Sequence, residues 1–156
     1  MKKISLILVL CMFVCFAFAL TSCSSKMIQV QVLDANGNVV VDQEVKLGAE
    51  TTSANAFYFI NNGKVTYAID CLDQALTQAK VEYVINRDDI DSWIPTIIAD
   101  MGAGEDSEGY GFNYYKWNHK DKVYENKTGL SAQHDKIEKG DKIQFRYEPL
   151  TAETAE

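Results

Sequence analysis

The sequence predicts a single α+β domain, and three observations carry the prediction. Strict apolar–polar alternation opens the mature chain, one amphipathic helix follows, and further alternating segments close it. Residues Met27 to Leu33 alternate Ile28, Val30 and Val32 with Gln29 and Gln31, the period of a half-buried strand. Asp34-Ala35-Asn36-Gly37-Asn38 is a turn, because Asn-Gly readily takes the positive φ values that hairpins need. Val39 to Leu47 supplies the second strand of an N-terminal hairpin. The aromatic run Ala56 to Ile60 reads as a short strand or buried loop segment.

Tyr67 to Lys80 has helical spacing: Ala68, Ile69, Leu72, Ala75, Leu76 and Ala79 share one face. Asp70, Asp73, Gln74, Thr77 and Gln78 lie opposite, and Thr66 is the expected N-cap. Cys71 falls at the edge of the apolar face and is expected to be a small buried hydrophobe. Val81 to Ile85 and Trp93 to Ala99 are strand-like around an acidic turn, and Met101 to Gly111 is a Gly-rich loop. Phe112 to Trp117 is an aromatic strand with Phe112 and Tyr114 on one face, Tyr115 and Trp117 on the other. Ile143 to Tyr147 is the terminal strand, and residues 151–156 form a disordered acidic tail. The helix is expected to lie across one sheet.

The first 22 residues differ from everything after them. Met1-Lys2-Lys3 is a positive start, and Ile4 to Leu20 carries no charge. A signal peptide accounts for this segment better than a membrane span, because positive charge comes first and small residues end it. Leu20-Thr21-Ser22-Cys23 matches the bacterial lipobox, and the segment resembles the signal peptide of a bacterial lipoprotein. The resemblance implies cleavage before Cys23 and lipid on its thiol. The chain then divides into signal peptide (1–22), lipidated N-terminus with a short tether (23–26), domain (27–150) and tail. The expected location is extracytoplasmic, on a bacterial membrane. A diacylglyceryl group holds a protein stably where one acyl chain would not.

Charge divides at the same boundary. The whole chain has 15 Lys+Arg against 22 Asp+Glu, yet residues 23–156 hold every acid and a net −9. Such acidity argues against a nucleic-acid partner. It is also expected to keep the domain off anionic headgroups. Of four cysteines, Cys11 and Cys15 leave with the signal peptide and Cys23 takes lipid, so Cys71 has no disulfide partner.

Three segments together carry a second resemblance. They are Val65-Thr66-Tyr67-Ala68-Ile69-Asp70-Cys71-Leu72, Gly109 to Asn118, and Ile137-Glu138-Lys139-Gly140-Asp141-Lys142 leading to Tyr147. In this order they resemble the bacterial domain-of-unknown-function family related to the C-terminal β-domain of transcobalamin and intrinsic factor. The match spans about residues 64–148 and implies a β-grasp-like mixed sheet, a surface location and a cobalamin-type ligand. Phe112, Trp117 and His119 depart from the family's pattern, and Gly48 to Ile60 looks like an insertion. The helical partner domain that supplies much of the corrinoid site in transcobalamin is not expected here, so no cofactor is assigned.

Little in the sequence suggests catalysis. There is no Gly-x-Ser-x-Gly elbow and no phosphate-cradling Gly motif. His119 and His134 lie 15 residues apart in turn-rich sequence, and the acidic stretches lack EF-hand spacing, so no metal site is expected. The functional candidates are aromatic: Tyr110, Tyr114, Tyr115 and Trp117, with Tyr124 nearby. Exposed Tyr and Trp offer stacking area with a polar tip. The expected function is a lipid-anchored, non-catalytic surface binding module for a small ligand, a glycan or a protein. A structural or adhesive component of a surface assembly is the alternative, and a hydrolase with an unidentified carboxylate site the second.

Overall fold

Alternation along the strands of the main sheet, the short Val123–Asn126 strand excepted, decides what it buries. A computed structural model describes residues 26–52, 63–86, 94–102, 108–127 and 132–150. Strand β1 (Met27–Leu33) buries Ile28, Val30 and Val32 completely and turns Gln29 and Gln31 to the other face. The following turn is tied by one carboxylate: Asp34 Oδ1 accepts from the Asn36 and Asn38 backbone N–H groups at 2.9 and 2.7 Å. Strand β2 (Val39–Lys46) returns antiparallel, so the predicted N-terminal hairpin is present.

Helix α1 (Ala68–Ala79) lies across the sheet and packs Ala68, Ile69, Leu72, Ala75 and Leu76 at 0–1% exposure. Its cap differs from the expectation. Thr66 donates its hydroxyl to the Lys64 carbonyl, and Tyr67 occupies the N-cap position. Asp70 closes the end instead, its Oδ2 accepting from the Thr66 and Tyr67 N–H groups at 3.0 and 2.8 Å.

The helix's polar side is also not a solvent face. Asp73 is 1% exposed beneath strand β3 (Tyr83–Asn86), whose Tyr83 hydroxyl donates to it. Gln74 exchanges hydrogen bonds of 2.9 Å with the Thr52 backbone and side chain. Strand β4 (Ile94–Ile98) completes a two-stranded sheet with β3. The turn after it needs glycine at 102, where φ is +86° and a Cβ would stand 1.9 Å from the Thr96 carbonyl oxygen.

Strands β5 (Tyr110–Asn118), β6 (Val123–Asn126) and β7 (Lys142–Pro149) finish the main sheet. The order is β2-β1-β7-β5-β6, with β1 and β7 parallel and the remaining pairs antiparallel. First and last strands paired in the centre, beneath one crossing helix, make the fold α+β and β-grasp-like, as the sequence predicts. Strand β6 was not expected, and β7 runs through Pro149 instead of ending at Tyr147. The aromatic run 56–60, the signal peptide, Cys23 and the tail lie outside the described residues.

The centre of the core is Phe145, 1% exposed, stacked on Tyr114 with ring centroids 5.3 Å apart and paired in register with Val32. Phe145→Ala should cost about 3–5 kcal/mol in guanidinium unfolding. Val123→Ala, at a site 49% exposed, should stay within about 0.5 kcal/mol. Asp70→Ala, which strands two backbone donors, should cost about 1–2 kcal/mol. A Phe145→Ala loss below about 1 kcal/mol would contradict this core assignment.

Candidate functional site on the outer face of the sheet

One face of the sheet carries the helix. The other displays alternate residues of four neighbouring strands: Gln29 and Gln31 from β1, Gln144 and Arg146 from β7, Tyr115 and Trp117 from β5, and Tyr124 from β6. The arrangement follows from parity, since Tyr115 stands opposite Gln144 and Trp117 opposite Tyr124.

Polar atoms on this face are joined into a line running across the strands. Arg146 Nε and Nη2 donate to Gln144 Oε1 at 2.9 and 2.8 Å. Gln144 Nε2 donates to Gln31 Oε1 at 2.8 Å, and Gln31 Nε2 to Asp42 Oδ2 at 3.0 Å. A cation therefore sits at one end and a carboxylate at the other, with two amides oriented between them. This is the polarity that strengthens such chains. Gln144 can be 7% exposed without cost because both ends of its amide are satisfied.

Aromatic rings flank this line. The Arg146 guanidinium lies 4.0 Å from the Tyr115 ring centroid and 5.8 Å from that of Tyr124. Trp117 meets Tyr124 edge to face at 5.0 Å, and the Lys142 ammonium stands 5.6 Å over the Trp117 ring. Tyr115 donates its hydroxyl to Glu148, which also accepts from Asn113 Nδ2 at 2.8 Å. Partial burial, reinforced at Tyr115 by Glu148 and at Tyr124 by Asp42, raises both phenol pKa values above the ordinary tyrosine range.

The four aromatics singled out from the sequence separate accordingly. Tyr115 and Trp117 share the outer face. Tyr114 is 7% exposed in the core and cannot meet a ligand there. Tyr110 belongs to the inward series but sits at the strand's start, 39% exposed and 5.5 Å from the Tyr147 ring. Tyr124, named beside the aromatic candidates, joins the face, and Arg146, Gln144 and Gln31 join it without having been expected. The signal that could have found them is the alternation of Gln29/Gln31 and of Lys142/Gln144/Arg146 along two strands that pair.

A second polar group lies at the core's rim. Lys116 Nζ contacts Asp141 Oδ2 at 2.9 Å and Asp135 Oδ1 at 3.3 Å, and the Tyr114 hydroxyl donates to Asp135 Oδ2 at 2.6 Å. Cys71 is buried nearby, its thiol pKa pushed up chiefly by burial, which keeps it unreactive. His119 and His134 are exposed in separate turns, and among the described residues no three His, Cys, Asp or Glu converge on one point.

No protein-family model matches the chain, and no curated protein matches it. Its fold is similar to that of a protein from Ruminococcus gnavus ATCC 29149 described as a "putative metal binding protein". The TM-score is 0.50 and the identity 14%, covering 81% of this chain and 100% of that one. At this identity the likeness concerns the fold alone.

The rim cluster predicts an alkaline limit to stability. Burial, and then the bond to Asp135, hold the Tyr114 phenol protonated far above its ordinary value of 10.0. For Lys116, burial pulls the pKa down, but Asp141 and Asp135 together raise it above 10.5. Both groups keep their protons in the folded chain and release them more readily in the unfolded one. Their contribution is therefore complete below about pH 10 and is lost as pH rises past it. Tyr114→Phe should cost about 1 kcal/mol at pH 7 and flatten the fall of stability between about pH 10 and 11.5. Parallel alkaline limbs for the two proteins in denaturant titrations would rule Tyr114 out as the titrating group.

Proposed function

We propose that the chain is a non-catalytic binding module, tethered outside the bacterial cytoplasm by lipid on Cys23, whose outer sheet face takes a glycan. The observation that carries this reading is the composition of that face. Trp117, Tyr115 and Tyr124 stand beside the guanidinium of Arg146, which spends two of its N–H groups on Gln144 and keeps the others. A sugar ring presents C–H groups on its flat face and hydroxyls around its edge. Rings for the first and planar amide or guanidinium groups for the second are what its recognition requires. Lys142 is held over Trp117 only by its flexible stem, so a sugar can displace it and take the same ring face. The lipobox after a positive start and an uncharged run supports the tether. No helix among the described residues is long and apolar enough to cross a membrane.

A metal ion is the second reading, supported by the description of the structurally similar R. gnavus protein. A cobalamin-type ligand is the third, supported by the transcobalamin-like resemblance.

Calorimetric titration separates the three. Peptidoglycan fragments and plant and bacterial oligosaccharides should bind, with Trp117→Ala weakening affinity tenfold or more while the melting temperature holds. Binding of calcium, zinc, cobalamin or cobinamide that survives Trp117→Ala, with every oligosaccharide silent, would overturn the glycan reading.

A further inference from the structure

The strand register gathers lysines at one end of the sheet. Because β1 and β7 are parallel they begin at the same end, where β2 and β5 finish and β6 starts. Lys26 precedes β1, Lys46 pairs with Met27, and Lys142 pairs with Gln29. Lys120 and Lys122 occupy the β5–β6 turn just beyond the Asn118–Val123 pair. All five are exposed. The acids at this end are fewer. Asp121, Glu138 and Glu44, which shares the Gln29 rung with Lys142, are exposed there, Asp121 accepting from Asn118 Nδ2, while Asp141 is engaged by Lys116.

The opposite end is the reverse. Its described residues include Asp34 in the first turn, Glu108 before β5 and Glu148 near the end of β7, against one lysine, Lys127 after β6, which is paired with Glu125. Glu153 and Glu156 follow in the sequence. A net charge of −7 therefore conceals a molecule with a positive base.

That base is the end next to Cys23. Three residue steps separate Cys23 from Lys26, which at full extension is roughly 10 Å. The screening length at physiological salt is about 8 Å, so lysines on the first rungs come within the field of the headgroups. We propose that this end of the sheet docks on anionic phospholipid headgroups, standing the sheet upright on the membrane with its aromatic face turned sideways. The inference rests on lipid at Cys23, and it reverses the expectation that net acidity holds the domain away from such a surface.

The test uses the mature lipoprotein reconstituted in vesicles of phosphatidylcholine, with or without phosphatidylglycerol as about one lipid in three. Lysines are acylated with a water-soluble reagent and quantified by peptide mass spectrometry. Anionic vesicles should reduce labelling of Lys46, Lys120, Lys122 and Lys142 several-fold relative to Lys80, which caps the far end of α1, and high salt should restore it. Lys46→Glu with Lys120→Glu should abolish that protection at an unchanged melting temperature. Equal labelling on neutral and anionic vesicles would overturn the proposal. The mass of the N-terminal peptide reports the lipid separately. If Cys23 is bare, the anchor reading fails. The docking proposal then requires the same chain, added from solution, to sediment with anionic vesicles and not neutral ones, and failure to do so ends it.

Discussion

The pairing of β1 with β7 is the contact on which the other elements depend. It joins strands more than a hundred residues apart, and a parallel pair needs the whole intervening chain as its crossover. On the helix side it brings Val30 beside Ile143 and Val32 beside Phe145, all at 0–1% exposure. Strands at the centre of such a sheet usually need cover on both faces. On the side away from the helix the described structure supplies it with side chains: the Gln31–Gln144 bond is roofed by Arg146, which lies against Tyr115. A polar layer can do this only when its donors and acceptors are matched, and the Arg–Gln–Gln–Asp line achieves that.

Much of the fold was legible because it depends on local period. The hairpin, the helix and the alternation of Phe112/Tyr114 against Tyr115/Trp117 follow from spacing alone. The helix's second buried face was not legible. Asp73 and Gln74 look like solvent-facing residues until Tyr83 and Thr52, distant in sequence, satisfy them. The same holds for Thr66, displaced as cap by a carboxylate one turn ahead. Strand β6 is four residues with no buried side chain, so no alternation in burial marked it. The candidate site was half legible. Tyr115 and Trp117 could be placed on one face by parity, but which cation lies on which ring depends on the order of strands.

That order also explains why the outer face has the character of a site and not of a second core. Lys142 and Arg146 are four residues apart on β7, so both point outward and each meets the aromatic residue that β5 offers nearby. Ring–cation contacts flank the Trp117–Tyr124 pair and Tyr115, all of which stay partly exposed. Lys142 is the weaker partner, being farther from its ring and more strongly hydrated than a guanidinium. Arg146 is fixed by two hydrogen bonds as well as by stacking, so it behaves as part of the surface.

The proposed tether at Cys23 and the outer face would constrain each other. At about 3.3 Å per residue along a strand, Trp117, level with Gln29, stands three residues, or roughly 10 Å, above Lys26. Tyr115 stands two residues higher, or about 7 Å. With the base on the headgroups, the aromatic face spans a low band above the membrane. On the proposed docking, a ligand would come to the face from the side, within that band, which would suit a polymer lying along the cell surface better than a molecule presented from a distance. The proposed upright sheet and the proposed glycan face would in this sense be one arrangement, set by where β1 begins.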